Sequence, residues 1–332
     1  MSTKNGKENK TLDLIHGIVI DLFKEFKKLC DKHSLRYFAI SGTTIGAALW
    51  EGFIPWDDDM DIAMPAEDYL KFLKYARKEL PKHIDTESYL WFGSKIFNKN
   101  TTFTDIHYVD MPERYCGIFI DIVPLISLPN DDTELDDFMD DFRSFTRHAI
   151  MLDRYNIVLG PNEQELKKWQ KRILLRNKFG ETSRVMDFSD QRYILDASGF
   201  VSPIVAKFED TSIPMSSNWE NDLHIQYGNY QKYPPKEKRI SAHDNEGIFS
   251  LEDSTVESAK KYNSISKTAK RVLEKRKSIE AYYCDEMFRL KNENIILKRN
   301  IRKLKKENYW YEKNILCRIA KKTARIFVNN KN

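Results

Sequence analysis

Four of the five residues from Asp57 to Asp61 are aspartates, interrupted only by Met60. Like charges packed this closely repel unless a cation neutralises them. Asp59 and Asp61 alternate around Met60, so on a strand both point to one face. That geometry lets two carboxylates share a hard divalent cation through oxygen ligands. Pro55 and Trp56 put Asp57 in a turn, where Asp57 and Asp58 either orient a site or form a solvated acidic corner. A third carboxylate, Asp121, sits within FIDIV between Phe119, Ile120, Ile122 and Val123. A carboxylate in so apolar a run is costly unless it binds metal or pairs with Lys or Arg, and both remain open.

Upstream, Ser41-Gly42-Thr43 stands between the strand-like RYFAIS (Arg36 to Ser41) and the helix-like TTIGAALW (Thr43 to Trp50). Small residues let the backbone approach a ligand, and a helix N-terminus offers free N–H groups to a phosphate. A strand, a small-residue turn, a helix and then Asp-x-Asp on a strand together describe a metal-dependent nucleotidyltransferase-like site.

The elements that must hold these residues are legible around them. Ile15, Ile18, Val19, Leu22, Phe26, Leu29 and Cys30 recur at three- and four-residue steps, predicting a helix over Thr11 to His33. Helices are expected over Glu67 to Leu80, Asn130 to Tyr155, Gln164 to Phe179 and Trp219 to Tyr227. Strand-like runs fill Ile84 to Pro124, and Gly199 to Phe208 also reads as strand. Residues 236–255 read as a linker. The 332 residues are ample for one large domain or two, no apolar run is long enough to span a membrane, and no secretory leader is evident. Four scattered cysteines, Cys30, Cys116, Cys284 and Cys317, have no metal or redox spacing, which suits a reduced compartment.

With these motifs in hand, the chain resembles the LicD family of phosphotransferases. The resemblance rests on GTTIGAALWEGFIPWDDDMDIAMPAEDYLKF, NKNTTF, GIFIDIVPL and YGNYQKYPPKEKR, with His243 soon after, and covers roughly residues 11–245. It implies an α+β fold: a nucleotidyltransferase-like core of mixed β-sheet with flanking helices, here followed by a C-terminal helical tail. The catalytic domain is accordingly expected over residues 1–255, and the pattern beyond it reads as a basic helical tail over 256–332, a coiled coil or membrane-surface helix. The resemblance also implies transfer of a substituted phosphoryl group, in this family typically phosphocholine from CDP-choline, to a glycan hydroxyl on lipopolysaccharide, teichoic acid or capsular polysaccharide. Asp59, Asp61 and Asp121 match the catalytic, metal-binding carboxylates, for Mg²⁺ or Mn²⁺. Gly42 and Thr43 match the small-residue turn; with Thr44, Asp58 and Lys95 they are the expected donor contacts. Arg114 is a further candidate for phosphate, and His107 and His243 are candidate hydrogen-bond donors. A choline head group would want aromatic faces, for which Trp50, Trp56, Trp91 and Tyr108 are the candidates, the alternative being ordinary core aromatics. Family members often carry a basic residue where this chain has Trp50 or Glu51.

The tail lies outside the resemblance. From Val256 to Asn332 it carries 22 Lys and Arg against 8 Asp and Glu, leaving 32 against 42 in the rest. That charge favours an anionic membrane surface at the inner face, beside a lipid-linked glycan acceptor, for an otherwise cytoplasmic protein. Ile315, Leu316, Ile319, Ile326 and Phe327 would insert. Leu290, Leu297 and Leu304 at seven-residue steps argue for a coiled coil and a homodimer through the tail. No nucleic acid partner is expected. The rival functions are a nucleotidyltransferase of the same fold, a transferase using CDP-glycerol or CDP-ribitol, and a non-catalytic membrane-associated scaffold.

Overall fold

In the computed structural model, the structure describes residues 2–190, 192–235, 239 and 247–329; within these, side chains are described between Lys10 and Lys305 except Arg302. The expected contacts of His243 and the insertion of Ile315 to Phe327 lie outside the described side chains.

The centre is a nine-stranded mixed sheet. Its main path runs β3 (Ile84–Ser88), β4 (Ser94–Asn98), β6 (Phe119–Leu128), β2 (Asp61–Pro65), β1 (Phe38–Ala39), β10 (Thr211–Met215) and β9 (Ile204–Phe208). The second half of β6 also carries β7 (Arg184–Asp187), which pairs with β8 (Leu195–Asp196). β2 runs parallel to β6 and β1 parallel to β10, while the other neighbours in this sheet are antiparallel. All ten residues of β6 are buried, as expected of a strand covered on both faces.

The two faces of the sheet divide by strand parity. Ile62 and Met64 of β2, with Ile120, Ile122 and Ile126 of β6, belong to the larger core. That core is closed by α1 (Ser2–His33), α3 (Ala66–Glu79) and α4 (Asp132–Tyr155) through Val19, Phe23, Phe26, Phe72, Phe142 and Phe145, all fully buried. Ala63, Val123, Leu125 and Val185 face the other way, into a smaller cluster with Phe38 and Phe200. Asp61, Asp121 and Asp187 share the parity of this second face, and burial pushes the Asp187 carboxyl up to about 6.

β1 is shorter than the expected strand because Ser41 has a φ of 50° and turns the chain directly into α2 (Ser41–Trp50). Gly46 lets the next turn fold back over α2: a methyl group there would lie 2.4 Å from the Gly52 carbonyl oxygen. Gly199 to Val201 is helical, in α6 (Ser198–Val201), and strand pairing begins only at Ile204. Two further helices of this part are α5 (Glu163–Leu174) and α7 (Trp219–Tyr227).

The expected linker contains β11 (Gly247–Ser250), which pairs with β5 (Thr102–Asp105) in a small second sheet. Tyr262 of α8 (Thr255–Asn263) is buried against Val109 and Tyr115. The chain accordingly divides into compact units Met1–Lys277 and Ser278–Asn332, and α8 belongs to the first. The second unit consists of the long helix α9 (Lys267–Asn329) from Ser278 onward. No helix among the described residues is long and apolar enough to cross a membrane.

Candidate active site

Asp61 opens β2 and stands directly opposite Asp121 on the parallel strand β6. The pairing is continued by the Asp121 N–H, which donates to the Met60 carbonyl at 2.8 Å. Met60 is fully buried, so its neighbours Asp59 and Asp61 turn away from it. One carboxylate oxygen from each of Asp59, Asp61 and Asp121 lies within 4.8 Å of the others. Asp57, Asp58 and Asp59 form a second such group, with Asp58 buried. Oxygens converging at this spacing fit a hard divalent cation, whose direct ligand distances are about 2.0–2.6 Å.

Burial drives the Asp61 carboxyl well above its ordinary range, and the neighbouring charges of Asp59, Asp121, Asp187 and Asp57 push it further in the same direction. Asp121 has a partner of its own. Lys95, opposite it on β4, donates to its Oδ1 at 2.9 Å while lying over the Phe119 ring. Lys95 thus holds a carboxylate of the cluster, a role the sequence reading left open for an unnamed base and did not assign to Lys95.

The small-residue turn is built into the same frame. Thr43 and Thr44 are buried. Thr43 Oγ1 accepts the Asp61 N–H at 2.8 Å, and the Thr44 N–H donates to the Ile40 carbonyl. Gly42 admits the Asp57 side chain: an added methyl would lie 2.9 Å from Asp57 Oδ2. From α1, His16 Nε2 meets the Asp57 carbonyl oxygen at 2.6 Å, its ring stacked on Phe53 at 4.1 Å.

Residues 34–152, which contain the whole carboxylate cluster and Lys95, match the family model described as "LicD/FKTN/FKRP, nucleotidyltransferase domain". The chain carries a LicD-family nucleotidyltransferase domain. Over 258 residues, 70% of this chain and 96% of the relative, it is 23% identical to the lipopolysaccharide cholinephosphotransferase LicD of Haemophilus influenzae. An uncharacterised protein of Rickettsia typhi is 38% identical over 65 residues, covering 20% of this chain and 19% of that protein.

Around the LicD domain's carboxylates stand groups that sequence reasoning missed. Asp187 is buried at the end of β7 and accepts from the Ser189 N–H and hydroxyl, each at 2.7 Å. The only local signal was an aspartate at the end of the short apolar run VMD. Tyr227, half-exposed at the end of α7, has its phenol raised to about 12 by partial desolvation and by the charges of Asp61, Asp190 and Asp57, with the Ser41 hydroxyl acting in the opposite direction. Both Asp187 and Tyr227 lie beyond residue 152, past the family match.

The four candidate aromatics divide between two places. Trp50 and Trp56 meet edge-to-face at 5.8 Å, and Trp50 stacks on Tyr233 at 5.3 Å. The Arg239 guanidinium lies over Trp56 and Tyr233, at 5.1 and 5.5 Å. Trp91 and the buried Tyr108 belong instead to a group with Tyr89, Phe92, Arg114 and Arg154. Arg114 there bonds Glu87 and Asp153, while His107 bonds Asp105. A separate cavity of about 770 Å³ borders α7, lined by Trp219, Glu220, His224, Asn229, Tyr230 and Gln231 among others.

Proposed function

We propose that this chain is a metal-dependent phosphotransferase that moves a substituted phosphoryl group, phosphocholine in the leading reading, from a CDP-alcohol to a glycan hydroxyl. The observation that carries the proposal is the convergence of Asp59, Asp61 and Asp121 beside the N-terminus of α2 in a LicD-family domain. Supporting it is the relative named a lipopolysaccharide cholinephosphotransferase, aligned over most of both chains.

Asp59, Asp61 and Asp121 would hold Mg²⁺ or Mn²⁺, which supplies charge neutralisation for the donor's phosphates. Lys95 orients Asp121 through its charge-assisted hydrogen bond. The acceptor oxygen forms a bond to the substituted phosphorus, the bond from that phosphorus to the cytidylyl oxygen breaks, and CMP leaves with the electron pair. The acceptor's proton needs a base on this face. Asp187 suits the task, because a carboxyl raised to about 6 can take a proton near neutral pH. The basic tail supports work at an anionic membrane surface.

A second donor reading has its own support. Arg239 already covers the aromatic faces of Trp56 and Tyr233, which favours a phosphate bearing an uncharged polyol, from CDP-glycerol or CDP-ribitol, over one bearing cationic choline at that place. One assay separates the readings. The protein is incubated with each CDP-alcohol, and in a separate arm with CTP, in the presence of Mg²⁺ and lipopolysaccharide, and released nucleotide, pyrophosphate and modified glycan are followed. CMP release from CDP-choline with phosphocholine on the glycan is expected. CMP release from a polyol donor alone would replace phosphocholine, and release of pyrophosphate from CTP without CMP formation would replace the reaction class.

A further inference from the structure

We infer that the second unit is the stem of a parallel, in-register homodimer, formed by one face of α9 with a second copy of this chain. The face is a heptad seam. Tyr283, Leu290, Leu297 and Leu304 occupy one seam position, and Met287, Asn294 and Ile301 the other. The six apolar members are 43–64% exposed, and Asn294 is exposed with them, although each would be a core residue in a two-stranded coil. Leucine at the first position, d in the usual lettering, with a single asparagine at the second, a, is the combination that selects two parallel strands. Asn294 fixes the register, because any shift would leave its amide facing an apolar partner.

The flanking charges choose the second copy and its direction. Glu286 and Glu293 flank the seam on one side, and Lys291 and Lys298 on the other. In a parallel in-register pair, each glutamate faces the lysine five residues further along the partner, so Glu286 meets Lys291 and Glu293 meets Lys298. An antiparallel pair would set glutamate against glutamate and lysine against lysine. Within its own helix Arg289 pairs with both glutamates, a solvent-exposed arrangement that costs little to share with a partner.

The test uses the full-length chain in sedimentation equilibrium. Wild type is expected at twice the 39.2 kDa chain mass. The pair Glu286→Lys with Glu293→Lys, and separately Lys291→Glu with Lys298→Glu, should each weaken self-association by roughly tenfold or more. Mixing the two variants should restore a dimer. Leu304→Cys, in a Cys284→Ser, Cys317→Ser background, should cross-link to itself, since in a parallel coil residue 304 faces its own copy. A monomeric wild type, charge variants that associate as wild type does, or no cross-link at 304 would each overturn the proposal. So would a monomer whose Leu290 and Leu297 instead bind it to vesicles of anionic lipid.

Discussion

The hydroxyl of Thr43, in the first turn of α2, accepts the backbone N–H of Asp61, the first residue of β2, at 2.8 Å. Eighteen residues apart in sequence, the two join the turn expected to meet donor phosphates to the strand that presents a carboxylate. Thr43→Val keeps the shape, removes the acceptor and leaves a part-buried N–H unpaired, at a cost of about 1–3 kcal/mol. The expected outcome is weaker Mg²⁺ binding in calorimetry with little loss of helix content, and Thr43→Ser should restore it. Unchanged Mg²⁺ affinity in the valine variant would show that the bond does not position Asp61.

Asp61→Asn should abolish transfer while the protein still folds. Because burial and neighbouring carboxylates oppose ionisation of Asp61, the metal-free variant should also be at least as stable as wild type at pH 7.5. Mg²⁺ should raise the melting temperature of wild type more at pH 7.5 than at pH 5, since a cation competes with the proton held there. Asp61→Asn should lose most of that rise. Full turnover of wild type in excess chelator would sink the metal assignment.

Gly46→Ala and Gly17→Ala should move stability in opposite directions. At Gly46 the added methyl collides with backbone at 2.4 Å, so a loss of about 2–4 kcal/mol in denaturant unfolding is expected. At Gly17, inside α1, nothing lies within 4 Å of the added methyl, and the helix should gain about 0.5–1 kcal/mol. Equal effects at both positions would mean that the turn after α2 does not pack as described.

Asp222 gives a pH test away from the carboxylate cluster. It is buried on α7, and neither side-chain oxygen reaches a hydrogen-bond partner among the described residues. Burial pushes its carboxyl up to about 6, and the nearby Ser216 hydroxyl offsets little of that. Between the ordinary carboxylate range and about pH 6, the folded state therefore holds more protons than the unfolded one, so this group lowers stability as pH rises through that window. Asp222→Asn should be near neutral at pH 4 and stabilise by on the order of 2 kcal/mol at pH 8. Chemical denaturation at both pH values measures this; a variant less stable than wild type at pH 8 would contradict it.

What the sequence determined by itself is local. The one-residue gap between Asp59 and Asp61 assigns them a common face, and the small residues after Ile40 mark a turn into a helix, because strand parity and backbone freedom act over a few residues. The long amphipathic α1 and α4 follow from helical spacing in the same way. The apolar frame around Asp121 told that it is buried, but not whether a cation or a lysine answers its charge. Tertiary structure decided that: parallel pairing of β2 with β6 sets Asp121 beside Asp61, and antiparallel pairing of β4 with β6 sets Lys95 against it. Asp187 and Tyr227 arrive by longer connections, on a four-residue strand and at a helix end whose sequences carry no periodic signal. The aromatic candidates separated for the same reason. Which rings meet depends on how distant segments cross, and only the packed sheet, which must bury both of its faces, specifies those crossings.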